Sequence, residues 1–168
     1  MRLLRYLFLS LLVGILVVVT LFFQADIPLY QLKQRYASPP SMFMDVNGMS
    51  IHYRDEGPET DSLPLVLLHG TGASLHTWEG WAAYFAPQKR EIRLDLPAFG
   101  LTGPTPDGLY GMDQYVAILH EFLQKTKVKT CILAGNSLGG AIAWHYALAH
   151  PDQVDRLVLV NAAGHPFE

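Results

Sequence analysis

Between Thr130 and Pro151 the chain passes from a short apolar run, through Gly135-Asn136-Ser137-Leu138-Gly139, into an amphipathic stretch. Thr130-Cys131-Ile132-Leu133-Ala134 is bounded by charge and has the pattern of a parallel strand buried on both faces. Leu138 to His150 is rich in Ala, Leu, Ile and Trp and stops at Pro151, which predicts a helix with a defined end. The pattern Gly-x-Ser-x-Gly would match somewhere in a chain of this length roughly one time in twenty, so its value lies in its setting. A strand, a sharp turn and a helix put Ser137 at the apex of a strained bend, with its hydroxyl above the sheet edge and a helix N-terminus aimed at it. Gly135 and Gly139 are expected where strand and helix backbones cross too closely for side chains.

Two further segments share that design. Leu65-Val66-Leu67-Leu68 runs into His69-Gly70-Thr71-Gly72, and Arg90–Leu94 runs into Asp95-Leu96-Pro97-Ala98-Phe99-Gly100. In this order the three motifs resemble the α/β-hydrolase family over about residues 42–164. The resemblance implies a mostly parallel sheet flanked by helices and a serine hydrolase resembling bacterial esterases and lipases. Ser137 would be the catalytic nucleophile, the backbone N–H groups of Thr71 and Leu138 would form the oxyanion hole, and Gly135, Gly139, His69 and Gly70 would shape the elbow and the turn. Directly after its strand, His69 is expected to order the turn by hydrogen bonding rather than to act in catalysis, and Asp95 to be a structural turn former. Ala98 stands where many relatives carry Gly.

The alternation of strand and helix from 65 to 161 predicts a parallel α/β sheet without the resemblance. Met42–Val46 and Met49–Arg54 alternate around Asn47-Gly48, the sign of a two-residue hairpin. Thr77 is expected to cap a helix whose Trp78, Trp81, Tyr84 and Phe85 form an apolar stripe. Asp113 to Lys127 predicts another helix, with lysines toward its C-terminal end, and Val154–Asn161 another strand.

Tyr6 to Phe23 holds no charge and, as a helix, would span about 27 Å against a hydrocarbon core of roughly 30 Å. This accounts for much of the mean hydropathy of +0.18. The run is longer than a signal-peptide core, and Phe23 occupies a position where cleavage wants a small residue. Residues 1–25 are therefore expected to be a retained membrane anchor, inserted through residues 3–23, with 26–41 a connector and 42–168 the hydrolase domain. Arg2 and Arg5 favour an inside N-terminus and an exported domain, periplasmic or extracellular, although Lys33 and Arg35 partly balance them.

Twelve basic against fifteen acidic residues, without a basic cluster, exclude the footprint of a nucleic-acid binder. No metal-ligand spacing occurs, no cofactor is implied, and the single Cys131 allows no intrachain disulfide. In the family order Ser…Asp/Glu…His, base and acid would follow Ser137. Only His145, His150, His165, Asp152, Asp155 and Glu168 do so, and none is well placed. The chain thus reads as the N-terminal part of a hydrolase, incomplete in its triad and inefficient as it stands. The expected substrate is a small ester or lipid-like molecule. The alternatives are a hydrolase cleaving carbon–carbon bonds of ring-fission products, which the Gly-Asn-Ser-Leu-Gly-Gly string also resembles, and a non-catalytic membrane-tethered relic.

Overall fold

The computed structural model describes residues 2–164; His165 and Glu168 lie outside them. Helix α1 (Arg2–Phe22) has the length and composition to cross a membrane and buries none of its side chains. The contacts divide the chain after Gln31. Within the expected connector, α2 (Leu29–Tyr36) is helical, a difference from the plain polar tether that Gln24–Pro40 suggests.

The second unit holds one six-stranded sheet. Strands β1 (Met42–Val46) and β2 (Met49–Glu56) form the hairpin around Asn47-Gly48, both with positive φ, as the turn requires. Strands β3 (Leu65–Leu68), β4 (Glu91–Leu94), β5 (Cys131–Asn136) and β6 (Val154–Val160) complete the sheet in the order β1-β2-β4-β3-β5-β6. The hairpin joins β4 antiparallel, and the remaining pairs are parallel. The apolar strands β3 and β5 are central, as their near-continuous hydrophobic runs demand. Between strands lie α3 (Glu79–Phe85), α4 (Met112–Lys125) and α5 (Leu138–Ala149).

On one face Phe122, Leu119, Ile142 and Tyr146 from α4 and α5 pack on Ile51, Val66, Ile92 and Leu133. On the other, Leu65, Leu67 and Ala134 meet Trp78, Trp81 and Phe85. Thr77 does not cap α3. A 3-10 turn, Leu75–Trp78, precedes the helix, because the Leu75 N–H is fixed 2.7 Å from Asp95 Oδ1 and starts the turn early. The phase change puts Ala82 on the inner side and leaves Tyr84 68% exposed, so Tyr84 is not part of the expected stripe.

Beside this second core the sheet face turns ionic. Arg93, fully buried, donates to Glu91 at 2.5 Å and pairs with Glu56 at 2.6 Å and Glu79 at 3.4 Å, while Arg54 pairs with Glu79 at 2.9 Å. Two arginines thus face three carboxylates. Burial pushes Glu91 up to about 7 from 4.5, against the opposing pull of Arg93. The folded state therefore keeps a proton that the unfolded chain has released, and stability falls as pH rises from about 4.5 to 7. Glu91→Gln removes this dependence. Denaturant titrations at several pH values should show the variant gaining on the wild type across that window by up to about 3 kcal/mol.

Candidate functional site

Strand β5 ends at Asn136 and α5 begins at Leu138, so a single residue makes the turn. Ser137 adopts φ 49°, ψ −114°, a conformation that L-residues rarely take and that persists only when its surroundings impose it. Here the surroundings are backbone. The Ser137 carbonyl accepts the N–H groups of Ala141 at 3.0 Å and Ala163 at 2.9 Å, and its own N–H reaches the Val160 carbonyl at 3.3 Å.

The glycines make this turn sterically possible. A Cβ on Gly135 would overlap the carbonyl of Gly139, and one on Gly139 would overlap the carbonyls of Leu68 and His69 at the end of β3. Gly140, the last residue of the Gly-Asn-Ser-Leu-Gly-Gly string, is as constrained, since a Cβ there would lie 2.6 Å from that of Ala162. The turn after β3 closes on the same point. A side chain at Gly70 would come within 2.8 Å of Asn136 Oδ1 and 3.1 Å of Ser137 Cβ. Thr71, the next residue and exposed, therefore belongs to a loop lying directly against residue 137.

His69 orders that loop. Leu96 N–H donates to its Nε2 at 2.9 Å, so this nitrogen carries no proton, and Nδ1–H donates to the Gly70 carbonyl at 2.7 Å. Burial lowers the pKa of the ring, which keeps it neutral against the opposing hydrogen bond and Asp95. Because carbonyl and N–H point in opposite directions across a trans peptide, fixing the Gly70 carbonyl also fixes the direction of the Thr71 N–H. Leu138 is the first residue of α5, and its N–H is one of those a helix start leaves without an intrahelical partner.

Asp95 ties the neighbouring loops together. Its carboxylate accepts from Leu75 N–H, Leu101 N–H and His52 Nδ1, each at 2.7 Å. Burial opposes its charge, but these donors hold its pKa below the ordinary range. Gly100 packs against the carboxylate with no room for a Cβ, and Ala98 takes φ 69°, the left-handed conformation that glycine favours. His52 is the member of this group that periodicity did not single out. It looks like an ordinary strand residue until the fold brings Asp95 to it, 43 residues later.

Among the described residues no side chain is hydrogen-bonded to Ser137 Oγ. His145 spends Nδ1 on the Ala141 carbonyl at 2.8 Å, and His150 stacks on His120 with ring centroids 4.2 Å apart. Neither meets Ser137, and the Cys131 thiol is buried in β5 with its pKa pushed up to about 12.

Residues 64–168 match the alpha/beta hydrolase fold. The chain belongs to the α/β hydrolase family. The 2-hydroxy-6-oxo-2,4-heptadienoate hydrolase of Pseudomonas putida is 37% identical over 109 residues, 62% of this chain and 39% of the relative. The 2-hydroxymuconate semialdehyde hydrolase of a Pseudomonas species is 32% identical over 123 residues, 71% of this chain and 42% of the relative. Among solved hydrolases, a membrane phospholipase A described as a bacterial virulence factor superposes with a TM-score of 0.72 at 31% identity, covering 96% of this chain and 53% of that one. The chain spans about two fifths to one half of the hydrolases it resembles.

The strain at residue 137 is measurable without any assay of function. Ser137→Ala keeps the strain and Ser137→Gly relieves it, while both lose the hydroxyl. Thermal unfolding should place the Gly variant about 1 kcal/mol above the Ala variant.

Proposed function

We propose that the protein is a serine hydrolase acting on carboxylic esters with a lipid-like acyl part. The observation that carries this reading is the backbone of Ser137, a strained apex at the start of α5 with the Gly70-Thr71 turn packed against it. Ser137 Oγ attacks the ester carbonyl carbon, and the carbonyl electron pair moves onto oxygen. The Thr71 and Leu138 N–H groups receive that negative charge. Collapse expels the alcohol, which takes a proton, and leaves an acyl-enzyme on Ser137 that water hydrolyses to the acid. The base accepting the Ser137 proton is expected C-terminal to it, as the family order implies.

Esters are favoured because the structural likeness to the membrane phospholipase extends over 96% of this chain with a TM-score of 0.72, whereas that to a meta-cleavage product hydrolase of Pseudomonas fluorescens extends over 76% with a TM-score of 0.69. Helix α1, 21 residues long and apolar enough to cross a hydrocarbon core, supports a membrane anchor. Carbon–carbon hydrolysis of ring-fission products is the second reading, favoured by the 37% identity to the P. putida enzyme.

A fluorophosphonate probe, applied to the protein expressed from its full reading frame, should label Ser137, and Ser137→Ala should abolish labelling. The same substitution should lower p-nitrophenyl ester hydrolysis by roughly a thousandfold or more. A folded protein that leaves Ser137 unlabelled contradicts the proposal, and turnover of a vinylogous diketone in place of esters selects the second reading.

A further inference from the structure

His76 sits beside the C-terminal end of α2, within the unit that begins at Leu32, and both of its ring nitrogens face acceptors. Nδ1 lies 2.7 Å from Glu79 Oε1, and Nε2 lies 3.1 Å from the carbonyl of Tyr36, the last residue of α2. Neither a carboxylate nor a peptide carbonyl has a proton to give. A neutral imidazole owns one N–H and satisfies only one of these partners, whereas an imidazolium satisfies both. The second contact is also made at a helix C-terminus, where carbonyls lack intrahelical donors and a cation is favoured.

We propose that His76 is a proton-operated latch fastening the end of α2 to the hydrolase unit. As the imidazolium it bridges Glu79 and the Tyr36 carbonyl; as the neutral ring it lets one of them go. The charges around it fit that role. Glu79, from α3, also receives Arg54 of β2 at 2.9 Å and Arg93 of β4 at 3.4 Å, and Arg93 in turn holds Glu56 and Glu91. His52 of β2, itself paired with Asp95, approaches ring to ring at 6.4 Å, and Tyr36 at 6.2 Å carries Arg35 over its own ring. Glu79 therefore remains a fixed anion shared by two permanent cations, and His76 is the partner within the bridge that changes charge.

What the latch controls is local. Arg54 also holds Ser41 Oγ at 3.0 Å, so the start of β1 stays pinned whether or not the end of α2 is loosened. Leu32 and Tyr36 of α2 wall a cavity of about 270 Å³ together with Ser74, His76, Asp95 and Leu101. Those partners come from the loops after β3 and β4, the sheet edge at which Ser137 stands. Lys33 of α2 lies over the Phe43 ring of β1 at 4.3 Å, so losing the proton loosens the Tyr36 end of α2, at the wall of that cavity, rather than detaching the helix, and the closed arrangement is favoured by acid. The inference does not depend on the chemistry proposed for Ser137.

Spin labels at Gln34→Cys and Ala83→Cys, both exposed positions, test it by pulsed dipolar spectroscopy on the full chain in lipid nanodiscs. In acid the distance distribution should be narrow, and on raising the pH it should broaden and lengthen. His76→Phe should give the broad distribution throughout, and His76→Gln a distribution that ignores pH. In the unsubstituted protein, imidazole ¹⁵N spectra should show both His76 nitrogens protonated in the closed state. A distribution unchanged by pH, a pH response surviving in His76→Gln, or a neutral His76 in the closed state would each overturn the latch.

Discussion

Everything at the carboxyl edge of the sheet follows from one close approach of backbone to backbone. Strand β5 and helix α5 share a single residue between them, their crossing admits no Cβ at Gly135, and the end of β3 admits none at Gly139. Ser137 then has no choice of conformation. Its carbonyl is held by two N–H groups, its N–H by the carbonyl of Val160 on β6, and among the described residues no side chain holds its hydroxyl. The conformational cost is covered by the packing of a parallel sheet whose central strands are buried on both faces. Among the described residues the Ser137 hydroxyl is not consumed in holding the turn.

The second level of organisation is polar and works at longer range. His69 and Asp95 each carry several backbone donors or acceptors, and between them they fix the turn after β3 to the loop after β4. Both are buried, so water offers no competing partner, and removing either would orphan buried N–H groups at a cost of about 1–3 kcal/mol for each group left unpaired. The same logic governs the ionic face of β2 and β4, where Arg93 would be intolerable without its carboxylates. Precision at the Ser137 edge therefore rests on residues that have no reactive part themselves.

Local patterns made much of this legible. Apolar runs marked β3 and β5, Asn47-Gly48 marked the hairpin, and Gly135 announced a close crossing, because each of these depends on neighbours in the chain. His69 and Asp95 were readable as turn residues for the same reason. Thr77 misled because a cap is chosen by tertiary contacts as well as by residue type; Asp95 captured the Leu75 N–H and moved the start of the turn. Helix α2 carries too few apolar residues to show a strong period. His52 was silent because its partner, Asp95, lies 43 residues away.

The central claim is that a strained serine is presented to two main-chain amides that can take up negative charge. The most direct measurement is a crystal structure of the protein after reaction with a lipid-like phosphonate ester. The account predicts phosphorus bonded to Ser137 Oγ, with the phosphonyl oxygen within hydrogen-bond distance of the Thr71 and Leu138 nitrogens. Phosphorus on another residue, or a phosphonyl oxygen turned away from both amides, would contradict it.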